Sequence, residues 1–108
     1  MKIQQDTIAA DYKDVGPFRE VREVVRFLEP FKRRPYVLLS LERADVGQFI
    51  ERSMVMGKEG NRLLHTVYRL DMSAANVSPT GFVLNIGTWQ ENLIYGYRVT
   101  WTAISDED

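Results

Sequence analysis

The chain has 108 residues, enough for one domain built round a single core. Its 14 basic and 15 acidic residues leave a formal net charge of −1, so no broad electrostatic field points to nucleic acid or to an anionic membrane. There is no cysteine, which excludes disulfides and thiolate metal sites, and no apolar run long enough to span a bilayer.

The start Met1-Lys-Ile-Gln-Gln-Asp6 lacks the pattern of a signal peptide, which suggests cytosolic synthesis, followed by release or by assembly on a particle surface. Residues 1–17 read as an irregular N-terminal arm ahead of a domain spanning 18–108. Asp11, Tyr12, Lys13, Asp14, Gly16 and Pro17 are mainly loop formers, and Gly-Pro stops any regular element. Residues 18–29 fit two patterns. Phe18, Val21, Val24, Val25 and Leu28 make a helical face, whereas Val21, Glu23, Val25 and Phe27 make a strand face with one charged intruder. Periodicity alone leans slightly to helix. Pro30 and Pro35 then bracket the basic run Lys32-Arg33-Arg34, which reads as a solvated loop.

Tyr36–Glu42 is a cleaner strand, with Val37, Leu39 and Leu41 on one face and Tyr36, Leu38 and Ser40 on the other. Being apolar on both faces, it is expected at the centre of a sheet between two covered surfaces. Gln48–Met56 and Arg62–Met72 read as two strands round the loop Gly57-Lys-Glu-Gly-Asn61. In the second, Leu64, Thr66, Tyr68, Leu70 and Met72 share one face, and His65, Val67, Arg69 and Asp71 the other. Pro79 and Gly81 make Ser78–Gly81 a chain reversal. The runs after it alternate Phe82, Leu84, Ile86 and then Tyr95, Tyr97, Val99, Trp101, which argues a β-hairpin with one buried face. The acidic tail Asp106-Glu107-Asp108 reads as a frayed end. About six short strands with turn signals between them predict an all-β, antiparallel β-sandwich.

Catalysis finds little support. The chain has no Gly-rich phosphate loop before a helix, no histidine pair and no Gly-x-Ser-x-Gly word, and nothing places carboxylates such as Asp45 and Glu51 in one cleft. No cofactor is implied, and no clustered acidic loop calls for calcium. The lone histidine, His65, reads as surface or interface packing.

Pro35-Tyr-Val-Leu-Leu-Ser40, Arg69, Val77-Ser-Pro-Thr-Gly-Phe82, Thr88-Trp89, Tyr95 and Val99-Thr-Trp101 form an ordered set. In its spacing it resembles the H-type lectin domain of the snail agglutinins and the discoidin C-terminus. The resemblance runs from about Phe27 to Ile104. It implies a six-stranded antiparallel β-sandwich that assembles as a homotrimer and binds N-acetylgalactosamine or galactose-type sugars near protomer interfaces. It also implies a strand at 18–29, with Val25 and Phe27 inward. Arg69 falls where the family has a hydroxyl-donating arginine, Trp89 where it has an aromatic wall, and Tyr95 where it has a tyrosine. Gln90 stands where some members have histidine; it can donate and accept but carries no charge. The family's N-terminal aspartate aligns with Gly16, and a small shift brings Asp14 there. The snail cysteines have no counterpart, since Lys32 and Ile86 stand at two of their positions. The segment between Leu41 and Arg69 is longer than in the shorter snail sequences.

A monosaccharide site needs a flat apolar surface for C–H groups and side-chain forks for adjacent hydroxyls. Trp89 is followed by Gln90, Glu91 and Asn92, a polar stretch in which a core residue would be oddly placed, so ligand contact is favoured over plain packing. Trp101, on the face with Tyr97 and Val99, is expected in the core. Tyr95 shares that face at its outer end and is open to either role. Arg69 taken by itself would be a solvated arginine or a surface ion pair with Asp71, worth little; the resemblance makes it the leading hydroxyl donor.

Two functions follow. One is a trimeric sugar-binding module for cell-surface glycans, with self-association and glycan as its partners and with neither nucleic-acid binding nor membrane insertion. The other is a structural or receptor-binding tip domain of a phage-like particle, its sugar site drifted or directed to polysaccharide.

Overall fold

The computed structural model describes residues 1–11, 18–48, 68–89 and 92–107. They form six strands: β1 (Lys2–Ala10), β2 (Glu20–Arg26), β3 (Tyr36–Gln48), β4 (Asp71–Ser78), β5 (Gly81–Gly87) and β6 (Asn92–Ser105). Two three-stranded antiparallel sheets result, with orders β1-β6-β3 and β2-β5-β4. The β-sandwich expected from the strand count is the observed architecture.

The two central strands supply most of the core. Phe82, Leu84 and Ile86 of β5 and Ile94, Tyr97, Val99, Trp101 and Ala103 of β6 are all buried. Val21 and Val25 of β2, with Phe27 and Phe31 beyond it, complete the cluster. Residues 20–26 are therefore a strand, as the resemblance implied and the helical periodicity did not. Glu23, the charged intruder on its inner face, accepts a hydrogen bond of 3.1 Å from the buried Tyr97 hydroxyl. Burial, then the Glu23 charge and this hydrogen bond, push the Tyr97 phenol up to about 12.

Several expectations fail for definable reasons. β5 and β6 are not a hairpin: they belong to opposite sheets, and the chain crosses between sheets after Gly87. Two strands that each bury one face satisfy the same alternation whether they pair edge to edge or pack face to face. Residues 2–10, read as part of an irregular arm, pair with β6 along their whole length, from Lys2–Ser105 to Ala10–Tyr97. Gln4, Gln5, Asp6 and Thr7 hid this strand, because an edge strand can be polar on both sides. β3 is likewise an edge and not a centre. Val37 and Leu39 pack on the core, but Tyr36, Leu38 and Leu41 are exposed. Arg69 and Leu70, placed in a strand by sequence, precede β4. The rest of the 48–66 hairpin, with His65, lies outside the described residues apart from the end of β3.

Bulges break the two-residue alternation in three places. Asp45 pairs with Gly96 and Val46 with Ile94, so Tyr95 is an extra residue in β6. The shift returns Ile94 to the core. In β3 a shift between Leu41 and Arg43 leaves Glu42 extra. In β4 the register shifts between Ala75 and Ser78, round Asn76 at φ 52°. Asparagine tolerates that left-handed backbone, and the shift lets Ala74 and Val77 both reach the core.

The turn at Ser78–Gly81 forms as expected, but its glycine serves packing. A Cβ on Gly81 would overlap the Val25 carbonyl oxygen. The turn carbonyls are also taken up: Phe27 N donates to Thr80 O at 3.0 Å and Phe31 N to Pro79 O at 2.8 Å. The acidic tail is not frayed at Glu107. Its buried carboxylate accepts from Lys32 N at 3.0 Å, Arg33 N at 3.4 Å and Ser105 Oγ at 2.8 Å. Burial pushes this carboxyl up, but those donors and the Lys2 charge outweigh it and hold it below its ordinary value.

Candidate functional site

The site lies where β5 leaves its sheet. Thr88 is buried there and tied in two directions: its N–H donates to Arg19 O at 2.8 Å, and its hydroxyl donates to Arg69 O. One residue thus joins the residue before β2, the end of β5 and the approach to β4. The next residue, Trp89, has its carbonyl held by Asn92, through Nδ2 at 3.0 Å and N–H at 3.3 Å. Phe18 exchanges both backbone hydrogen bonds with Ile94, at 3.0 and 2.7 Å, which stitches the start of β6 to the chain entering β2. The backbone of Thr88 and Trp89 is thus held by hydrogen bonds, while Trp89 stays 43% exposed.

The Arg69 guanidinium lies over that ring, 5.7 Å from Cζ to the centroid. Cation–π contact favours this placement, and the Thr88–Arg69 hydrogen bond fixes the backbone from which Arg69 projects. Beside the pair is an open polar depression of about 340 Å³, whose lining includes Arg19, Glu20, Asp71, Ser73, Asn85 and Thr88. Gly87 forms part of its floor: Glu20 and Asp71 pair with it from either side, and a Cβ there would find nothing nearer than Arg19 O at 4.0 Å. The missing side chain leaves a notch between two carboxylates.

Of the residues picked out by sequence, Arg69 and Trp89 are brought together. Tyr95 is half-buried in the other sheet, its ring against Gly47, where a Cβ would come within 2.8 Å of Cε2. Gly47 pairs with Leu93, the neighbour of buried Ile94, so Tyr95 lies on the side of the sheet away from the core. The expectation that Tyr95 shares the face of Tyr97 fails because the bulge intervenes. Gln90 and Asp14 lie outside the described residues. Sequence reasoning missed Arg19, Glu20, Asp71, Ser73 and Asn85. Asp71 was noted only as an ion-pair partner, and the signal that could have found the others is their outward phase at one end of β2, β4 and β5.

Chemically, the arrangement offers a partly exposed indole, a cation above it, and hydroxyl, amide and carboxylate groups in one depression. It suits a ligand with an apolar C–H face and several hydroxyls. Among the described residues no three metal-ligating side chains gather. An all-β sandwich with such a surface has the makeup of a binding module.

Comparison with known proteins gives the class. The family model for the H-type lectin domain matches residues 22–104. The chain is 34% identical over 97 residues to a protein of Fuscovulum blasticum named ATP synthase subunits region ORF 7, covering 86% of this chain and 70% of that one. It superposes on recombinant discoidin II of Dictyostelium discoideum with a TM-score of 0.69 at 16% identity, covering 99% of this chain and 38% of discoidin II. Wild-type discoidin II gives 0.68 at 19% identity, covering 96% and 36%. The chain therefore spans little more than a third of discoidin II, and at this identity the likeness is one of fold. The chain belongs to the H-type lectin family, which supports carbohydrate binding as its general function.

Proposed function

We propose that the chain is a lectin module for N-acetylgalactosamine or galactose-type sugars on cell-surface glycans, made multivalent by trimerisation. The stacking of Arg69 on the exposed Trp89 ring beside the polar depression is the observation that carries this reading. In it, Trp89 takes the apolar C–H face of the sugar, and Arg69 donates to a pair of hydroxyls. Gln90 supplies a neutral contact and Asp14 an acceptor, and Tyr95, on the outer side of the other sheet, joins the set from a neighbouring protomer. Thr88 and Asn92 position the pair without touching sugar.

One surface is suited to the protomer contact. On the outer face of the β1-β6-β3 sheet, Ile104 pairs with Ile3 on one side and Tyr36 on the other, and Leu38 follows one pair along. Ile3, Tyr36 and Leu38 are 55%, 80% and 58% exposed, a contiguous apolar strip of the kind that marks an interface. Several weak sites on one rigid body raise avidity by about 10²–10⁴.

The test is a glycan array with the wild type, Trp89→Ala and Arg69→Ala. Wild-type binding to terminal galactose-type sugars, lost in both variants with the fold retained, is the expected result. A folded wild type that binds no glycan rejects the reading. A monomeric mass at micromolar concentration rejects the trimer.

A further inference from the structure

A second cavity lies far from Trp89, in the side opening of the sandwich between the edge strands β1 and β2. It measures about 430 Å³ and is lined by Gln4, Gln5, Asp6, Arg26, Leu28 and Trp101. Six residue steps along β2 separate it from the Thr88 depression, from Glu20, which pairs with Gly87, to Arg26, which pairs with Gly81. At about 3.3 Å per residue the two places are roughly 20 Å apart.

Trp101 sets the chemistry of this cavity. The residue is 5% exposed, packed against Phe27 and Phe82 at 5.6 Å between ring centroids. Its indole N–H donates to no described residue, yet that nitrogen is not among the unpartnered atoms sealed from solvent. The small accessible part of the ring therefore includes its donor, and the ring lines this cavity. A buried indole usually places its N–H against a partner, because an unmet donor shut away from water is costly. Here the donor is left for whatever enters the groove.

The other walls complement it. Arg26 pairs with Gly81 through its backbone, but its side chain makes no hydrogen bond or ion pair with the described residues, so its fork of donors is available. Asp6 spends Oδ1 on Thr7 N at 2.8 Å and keeps its second oxygen as an acceptor. Gln4 is locked at the rim by a double hydrogen bond with the Glu29 backbone, at 2.6 and 3.2 Å. Leu28 is 94% exposed and offers an apolar wall. Guanidinium and indole donors match a carboxylate, the Asp6 oxygen matches a hydroxyl, and the leucine matches C–H groups. Asp6 also disfavours ligands of higher negative charge.

We propose that this groove is a second ligand site, for a monocarboxylated sugar such as a hexuronate. The carboxylate is held by Arg26 and the Trp101 N–H, and a ring hydroxyl by Asp6. The site is separate from the Arg69–Trp89 pair and does not depend on what that pair binds.

The test follows the two indole N–H resonances of the full chain by ¹H–¹⁵N correlation, assigned with Trp89→Phe. Galacturonate, galactose and acetate are titrated at equal ionic strength. The expected result is a saturable shift of the Trp101 resonance with galacturonate, weak or absent with the other two. Arg26→Gln should weaken it about tenfold, as loss of a charge-assisted hydrogen bond implies. An unmoved Trp101 resonance overturns the proposal, and so does an equal response to acetate or unchanged affinity in Arg26→Gln. The Trp89 resonance reports on the first site independently. If galactose moves Trp89 and galacturonate leaves Trp101 still, the groove alone is rejected.

Discussion

The two ends of β5 carry nearly the same side-chain alternation and do opposite things. At the Gly81 end the aromatic residues pack on one another: Phe27, Phe31, Phe82 and Trp101 meet at centroid distances of 5.0 to 6.0 Å, and only a small part of Trp101 reaches the side groove. Around them the 28–33 loop is stapled by Lys2 to Pro30 O, by Gln4 to Glu29 and by Glu107 to Lys32 and Arg33. At the Gly87 end, polar groups hold the backbone and the Trp89 ring is left partly in solvent. The closed end shows what stability requires, and the open end shows a hydrogen-bonded backbone presenting a ring that stability does not require.

The largest expected effect lies at the closed end. Phe82→Ala removes a 3%-exposed ring that contacts both Phe27 and Trp101, and should cost about 3–5 kcal/mol in urea denaturation. A loss below about 1 kcal/mol would mean that the aromatic cluster is not the keystone it is taken for. The two glycines sharpen the contrast. Gly81→Ala drives a methyl into the Val25 carbonyl and should cost about 1–3 kcal/mol, whereas Gly87→Ala enters open space and should stay within about 0.5 kcal/mol. Gly87→Ala should still weaken glycan binding by filling the notch, and equal stability losses at the two glycines would erase the distinction between the ends.

The smallest effects are in pH. The Glu107 carboxyl is held below its ordinary 4.5, so its contribution is complete above that value and is lost as pH falls through the depressed one. Acid should loosen the stapled 28–33 loop, read as faster amide exchange, and Glu107→Gln should flatten this acid limb. The Tyr97 phenol is raised from 10.0 to about 12, so its contribution is complete below pH 10 and is lost as pH rises through about 12. Tyr97→Phe should flatten that alkaline limb, as followed by thermal unfolding across pH.

The outcome for individual residues shows what could be read in advance. Trp101 and Trp89 were separated by context, one inside an apolar alternation and the other before a polar run, and the structure buries the first and exposes the second. Tyr95 could not be placed, because a bulge leaves no mark in side-chain alternation and shifts every residue beyond it. Arg69 was a plain surface arginine until the resemblance gave it a role. Its position over Trp89 depends on Thr88, 19 residues away along the chain, bonding to the Arg69 carbonyl. Asp14 and Gln90 lie outside the described residues.

By itself the sequence determined the all-β class, the reversal at Ser78–Gly81, the strand at Tyr36 and the inward row Tyr97, Val99 and Trp101. These depend on local backbone preference and on which face is apolar, both written residue by residue. Only the tertiary structure decided that β5 and β6 face each other across the core, that polar residues 2–10 form an edge strand, and that Glu107 closes a loop it follows by more than seventy residues. Each of these is a choice of partner, and a pattern of faces does not name the surface that will cover it. The open end of β5 belongs to both: its tryptophan was legible as exposed, and the arginine above it was put there by the fold.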